Sequence, residues 1–243
     1  MEFKFLENLG REFRDTVLRL LRDYSESLFL ALIMAFILRL FVFTTYKISN
    51  PVMEPNLKLG DFIVGYKLPY GFNLPFFDSH YGQTTPRRGD LLIFKCPKTP
   101  ELSCVRRVAG ISGDRIEIRG QRLLINGRVA KYVRSNLKPS IALKGPEKLV
   151  AIEEKITGNV RAILISDKDE LGNFGPYIVP PESFFALGDN RDFSEDSRHW
   201  GAVPNNLIES RAIFVWLSIE WLPQQDGSFT SRLRWERLFS LVK

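Results

Sequence analysis

Histidine and cysteine are scarce, with two of each in 243 residues: His80, His199, Cys96 and Cys104. That supply is too thin for a histidine-rich metal site and poor for a Ser-His-Asp triad. Runs of a single charge are also missing. The 34 Lys and Arg outnumber the 28 Asp and Glu to give a net charge of +6. No basic block or basic–aromatic interleaving accompanies that excess, which argues against nucleic acid as a partner. The same excess, at a pI of about 9.3, suits a protein lying against an anionic bilayer. Internal repeats and low-complexity tracts are absent. What is present is globular in composition, at 44% hydrophobic and 26% charged residues, with 17 Gly and 14 Pro to make turns. The length allows one large domain, or one domain with an insertion.

There is one long apolar run, Leu28–Tyr46, LFLALIMAFILRLFVFTTY. About 19 residues at ~1.5 Å each span roughly 28 Å, enough to cross a hydrocarbon core. Arg39 interrupts it near the far end, where its side chain can snorkel to the interface. Before it, Phe5, Leu6, Leu9, Phe13, Val17, Leu20, Leu21 and Tyr24 recur at helical spacing between charges, the pattern of an amphipathic helix. Lys4, Arg11, Arg14, Arg19 and Arg22 lie on that side, so the positive-inside rule keeps the N-terminus in the cytoplasm and sends the rest across. A cleaved signal peptide fits less well, because a helix-like stretch precedes the run and no small-residue cleavage pattern follows it. The expected layout is a cytoplasmic amphipathic helix over residues 1–25, a transmembrane anchor over 26–46, and an extracytoplasmic domain over 47–243.

Beyond the anchor the pattern is β. Asp61–Leu68, Asp90–Cys96, Cys104–Gly110, Arg115–Ile118, Arg122–Ile125, Val160–Ile165, Phe184–Leu187 and Ala212–Leu217 are short apolar runs, most bounded by turn residues such as Ser112-Gly113-Asp114 and Asn126-Gly127. The fold class expected is mainly β. A variable insertion is expected around residues 128–180, with the polar, Lys-rich Tyr132–Ile156 reading as an insertion or a flexible excursion. The C-terminal Phe229–Lys243 reads as a short amphipathic helix or an edge strand, with core packing as the commoner fate of its apolar residues. Trp216, Trp221 and Trp235 fit either an interfacial belt or plain core. Cys96 and Cys104 flank a probable hairpin connection, and either a disulfide or two separate buried thiols fits them.

Ile48–Asp61, ISNPVMEPNLKLGD, joins the anchor to the first β run. Pro51 and Pro55 fix their own φ and push the residue before each towards extended geometry, so a stiff, non-helical path is expected. By composition it is a linker.

Four stretches change that reading. Leu38–Ile48 (LRLFVFTTYKI), Met53–Lys67 (MEPNLKLGDFIVGYK), Arg87–Gly113 (RRGDLLIFKCPKTPELSCVRRVAGISG) and Leu187–Pro204 (LGDNRDFSEDSRHWGAVP) resemble, in order and spacing, the sequence boxes of bacterial type I signal peptidases, or leader peptidases. The resemblance covers about residues 28–218. It implies a β-rich endopeptidase domain behind one membrane helix, on the outer face of the bacterial cytoplasmic membrane, cutting signal peptides from exported proteins. It implies a Ser/Lys dyad and no metal or cofactor.

Residue by residue, the resemblance implies a loss. Met53 and Pro55 match the motif that follows the family's nucleophile and are candidates for contacting substrate, but Val52 stands where the serine belongs. Arg106 stands where the family has the lysine base, and Asn50 where it has a hydroxyl that assists the oxyanion. The support box is retained, with Ser194 at the position that hydrogen-bonds the base and Asp196 and Arg198 as the pair that holds the site. Val52 has no heteroatom with which to attack a carbonyl, and an arginine presents donors only. The expected function is a membrane-anchored, catalytically inactive homologue that binds signal-peptide-like segments or a membrane partner. The alternatives are an active peptidase, through another dyad or in a form carrying Ser and Lys, and a structural subunit of an envelope complex. Ser49 is a poor substitute nucleophile if the path is extended, since residues three apart then face opposite ways.

Overall fold

The computed structural model describes residues 2–70, 72–73, 80–81, 84–135, 149–156, 158–166, 172–223 and 229–242. The chain divides into two compact units, Met1–Phe43 and Thr44–Lys243.

The first unit is one helix, α1 (Glu2–Phe41). The division expected at residues 25–26 has no counterpart in the backbone. Residues 11–41 contain neither proline nor glycine, the residues that would interrupt a helix. Arg14–Phe41, 28 residues with a mean hydropathy of 1.7 over its 18-residue apolar window, is long and apolar enough to cross a membrane. The helix stops short of the expected end at Tyr46, because Phe43-Thr44-Thr45-Tyr46 is β-branched and aromatic and enters a strand.

The second unit is made of short strands. β1 (Phe43–Lys47) and β2 (Asp61–Tyr66) flank the proline-containing stretch, and β3 (Phe72–Asn73) pairs with β4 (His80–Tyr81). β5 (Leu91–Lys95) and β6 (Ser103–Ile111) form a hairpin whose base-to-tip register runs from Leu91↔Arg107 to Lys95↔Ser103. β7 (Arg115–Arg119), β8 (Arg122–Ile125) and β9 (Arg128–Val129) follow as a meander. Its last turn is Asn126-Gly127 with φ of 53° and 76°, the left-handed pair that a two-residue hairpin requires. β10 (Lys131–Arg134), β11 (Leu149–Ile156) and β12 (Asn159–Ser166) make an antiparallel sheet of their own. The chain ends with β13 (Phe174–Ile178), β14 (Ser183–Leu187), the one-turn helix α2 (Ser197–Trp200), β15 (Val203–Pro204), the long β16 (Ile208–Pro223), β17 (Phe229–Leu233) and β18 (Ser240–Leu241).

The principal sheet has the order β1-β2-β16-β5-β6-β14-β15, with β17 and β18 also paired to β16. A smaller sheet has the order β13-β7-β8-β9. The central strands of the principal sheet are apolar on both faces, which is why they read as unbroken runs in the sequence. In β5, Leu91 and Ile93 pack with Met53, Leu57 and Ile63, while Leu92 and Phe94 pack with Phe184 and Val108. In β14, Phe184 and Ala186 face that second cluster, while Phe185 and Leu187 pack with Ile116, Ile118 and Leu123 of the smaller sheet.

Two expectations need correction. The described ends of Tyr132–Ile156 are not an excursion but β10 and β11, paired in register; its middle, residues 136–148, and residues 167–171 of the expected insertion lie outside the described residues. The polar residues that suggested a loop include Glu154, which is buried against Arg161 and Arg191. The C-terminal segment leaves most of its apolar residues outside the core: it forms β17, a turn at Trp235–Arg237 and β18, with Trp235 72% exposed and Val242 packed against the core. Trp221 and Phe239 are exposed as well.

Candidate functional site

The proline-containing stretch does not run extended. Ile48 N–H donates to Asp61 O at 2.7 Å and Gly60 N–H to Ile48 O at 2.9 Å, so the two ends of the stretch are neighbours. Between them Glu54 N–H donates to Pro51 O and Leu57 N–H to Met53 O, giving a compact turn that drives Met53 and Leu57 into the core at 0% exposure. Asp61, fully buried, closes the turn: its carboxylate accepts from Lys58 N–H, Ser218 Oγ and the Arg237 guanidinium. Each of these bonds satisfies a group that would be costly to leave bare inside the protein.

This turn is tied to the loop that follows β14. Asn190 N–H donates to Val52 O at 3.1 Å, and its side-chain amide donates to Pro51 O at 3.2 Å. Asp189 takes both Nε and Nη2 of Arg107 from β6, at 2.8 and 2.7 Å, and the Asn56 amide at 2.7 Å. One buried carboxylate therefore joins the turn, the β5–β6 hairpin and the Asp189 loop. Farther along, Asp196 accepts from Gly188 N–H and from Arg198 Nε and Nη2, and Arg198 also donates to Arg191 O. The loop folds back so tightly that a Cβ on Gly188 would stand 2.1 Å from Ser194 Oγ and 2.9 Å from Val52 O. Only glycine fits there.

Behind the loop lies an ion cluster that motif reading did not find. Glu154, fully buried in β11, accepts from Arg191, from Arg161 at 2.7 Å and from the Tyr132 hydroxyl at 2.8 Å. Burial alone would raise its carboxyl, but Arg191 and Arg161 outweigh it and hold the group down at about 2. The available signal was a charge at an inward position of a strand, as Glu154 is in LVAIEEKI and Arg161 in NVRAILIS.

In front of the loop is a cleft of about 520 Å³. Asn50, Val52 and Met53 line it from the turn, Arg106 and Val105 from β6, and Phe193 and Trp200 from the loop and α2. The tip of the β5–β6 hairpin forms a further wall, where Cys96 and Cys104 are joined as a disulfide with Cα atoms 5.1 Å apart. Phe193 and Trp200 were not singled out in the sequence as cleft residues; only their place inside the Leu187–Pro204 box hinted at it. Pro55, Ser194, Asp196 and Arg198 are not in the cleft wall; the last three are buried in or against the loop behind it.

Arg106 is 5% exposed. Its Nε and Nη2 donate to Glu195 O at 3.0 and 2.7 Å, its Nη1 to Val105 O at 2.7 Å, and its guanidinium lies 5.7 Å from the Trp200 ring centre. Burial pulls the group down to about 10, against the opposing pull of Asp196 and Glu195, so it stays cationic at neutral pH. Ser194 Oγ lies 3.5 Å from the same Glu195 oxygen, so the two residues meet at that carbonyl. Ser49 and Lys47 line the same cleft as Val52. Lys47 is exposed, and its ammonium lies 5.9 Å from the centre of the Phe62 ring.

Comparison with known proteins converges on one family. The family model for signal peptidase, peptidase S26, matches residues 21–217. Signal peptidase I of Pseudomonas fluorescens is 34% identical over 215 residues, covering 82% of this chain and 73% of that protein. Signal peptidase I of Pseudomonas aeruginosa is 31% identical over 229 residues, covering 88% and 76%. The solved signal peptidase I of Enterococcus faecalis V583 covers 53% of this chain and 97% of its own at 22% identity, with a TM-score of 0.33. The stretch matched by the family model takes in the cleft, the turn and the loop that braces them, and the chain belongs to the type I signal peptidase family.

Proposed function

We propose that this chain is a signal-peptidase-type membrane protein that holds exported segments in its cleft without cutting them. The observation that carries the reading is the state of Arg106. A serine hydroxyl becomes a useful nucleophile only when a base removes its proton, and in a Ser/Lys dyad the base is a buried lysine that can be neutral at working pH. Arg106, at the position of that lysine, has its donors turned onto Glu195 O and Val105 O. Even at about 10 it would be neutral in only about one molecule in a thousand at pH 7. Val52, at the position of the nucleophile, offers the cleft a hydrocarbon surface. Removing the nucleophile alone from a serine protease lowers turnover by roughly a million-fold.

What remains suits binding. The cleft lies beside β1, the edge strand of the principal sheet among the described residues, and an extended peptide can add to such an edge while its side chains enter pockets. Apolar surface from Val52, Val105, Phe193 and Trp200 and the polar Asn50 would receive it, with Met53 packed beneath them. Asp196, Arg198 and Ser194 keep the roles of supporting residues. The protein would sit as a single-pass protein in the cytoplasmic membrane, residues 1–25 inside and the domain from residue 47 on the outer face, with Trp216, Trp221 and Trp235 at the interface. A structural subunit of an envelope complex would share this seat but leave the cleft unused.

A photo-crosslinking residue placed at position 52 of the full chain in membranes tests the binding. A radiolabelled signal peptide should give an adduct that excess unlabelled peptide removes; labelling no higher than with a scrambled peptide contradicts retained binding. One observation favours a second reading, an active peptidase: Ser49 shares the cleft with Val52 and with Lys47. Cleavage lost on Ser49→Ala would establish it.

A further inference from the structure

Away from the cleft, a second groove of about 580 Å³ opens between the β8–β9 turn and the β10–β11 strands. Among the described residues, every ionisable side chain in its wall is cationic: Arg88, Arg128, Lys131 and Lys155. Arg88 is neutralised by two hydrogen bonds to Asp114. Arg128, Lys131 and Lys155 are exposed, and no ion pair is formed by them among the described residues. The register makes this arrangement costly, because Lys131 is directly opposite Lys155 in the antiparallel pair, and like charges so placed repel. Among the described residues no carboxylate forms an ion pair with them. Glu153 is opposite Val133, one step along the same face, and does not line the groove; Glu154 points to the other face and is held by Arg161, Arg191 and Tyr132. The rest of the wall holds Asn126, whose amide donates to Asp114, and the apolar Ile125, Val129, Ala130 and Ile156.

We propose that this groove binds the headgroup phosphate of an anionic phospholipid. A phosphodiester placed between Lys131 and Lys155, with Arg128 as the third donor, converts their repulsion into shared attraction through charge-assisted hydrogen bonds. The apolar wall then meets the glycerol and first acyl carbons, a contact that a free phosphate cannot make. The volume lies within the range of small-ligand sites. The occupant is a lipid and not a soluble anion because the same chain carries a helix fit to span a bilayer, so lipid phosphate is always at hand. The site is separate from the cleft and does not depend on whether the chain cuts peptides.

The test uses the full-length chain in neutral detergent, titrated with short-chain phosphatidylglycerol, short-chain phosphatidylcholine and inorganic phosphate, with bound ligand counted by native mass spectrometry. Phosphatidylglycerol should bind, and the Arg128→Gln, Lys131→Gln, Lys155→Gln triple variant should lose at least about tenfold in affinity with a melting temperature no lower than the parent's, since the Lys131–Lys155 repulsion is removed. Lys131→Arg with Lys155→Arg should keep the binding, which guards against a folding defect. The proposal is overturned if the triple variant binds like the unaltered chain, if phosphatidylcholine binds equally well, or if inorganic phosphate at matched concentration displaces the lipid. Displacement by an acidic peptide of equal charge would also overturn it, marking a protein docking surface instead.

Discussion

At the scale of single residues, the buried charges in and behind the Asp189 loop organise the site. Glu154 has Arg161 and Arg191 on one carboxylate, so Glu154→Gln leaves two buried guanidinium groups without a countercharge and should cost about 3–5 kcal/mol. The pH dependence follows from its folded value of about 2 against an ordinary value of 4.5. A depressed carboxylate stabilises the fold fully above about pH 4.5 and loses that contribution as pH falls through about 2, an effect on the order of 3 kcal/mol. Thermal unfolding of the two proteins in detergent, at neutral pH and in acid, checks both: the gap between them should narrow as pH falls. Gly188→Ala should lower the melting temperature sharply, since the added methyl meets Ser194 and the Val52 carbonyl; a variant as stable as the parent would mean that the loop can shift without penalty. The residues of the cleft were legible one by one where a motif names them, as with Val52, Arg106 and Asn50. Phe193 and Trp200 were not, because an aromatic side chain beside a motif says nothing about which surface it faces. The compactness of this stretch was not legible, because proline stiffens a path without fixing its direction, and Pro51 here lies inside a turn.

At the scale of elements, the short apolar runs of the principal sheet were readable because β5, β14 and the second half of β6 are buried on both faces and so carry consecutive apolar residues. The strands β10 and β11 were hidden for the opposite reason: β10 and its partner turn Lys131, Val133, Arg134 and Lys155 to solvent, and the exposed face looks like a loop. The helix end was also displaced, since hydropathy counts Phe43 and Tyr46 as membrane residues although their shape favours a strand. The β5–β6 hairpin makes a prediction at this level. The Cys96–Cys104 disulfide closes a short loop that forms one wall of the cleft. Cys96→Ser with Cys104→Ser should cost about 2–3 kcal/mol by loop-closure entropy, and it should weaken peptide capture at position 52 more than it weakens lipid binding at the Lys131–Lys155 groove. Equal losses at the two sites would mean that the bond serves the whole domain and not the cleft wall.

At the scale of the whole molecule, the chain carries a helix long and apolar enough to cross a membrane, a β domain with a braced cleft, and exposed aromatic side chains on β16, β17 and the C-terminal turn. The orientation proposed from Lys4, Arg11, Arg14, Arg19 and Arg22 predicts that protease added outside spheroplasts digests the domain from residue 47 onward and spares an N-terminal tag; digestion of the tag in intact spheroplasts would reverse the topology. The central claim, that a signal-peptidase scaffold has been kept while its reaction has been lost, is tested most directly by incubating the purified full-length chain with a preprotein in detergent and following mature product. No product is expected from the chain as it stands, and product is expected from the variant carrying both Val52→Ser and Arg106→Lys. Mature product from the unaltered chain, abolished by Ser49→Ala or Ser194→Ala, would contradict it.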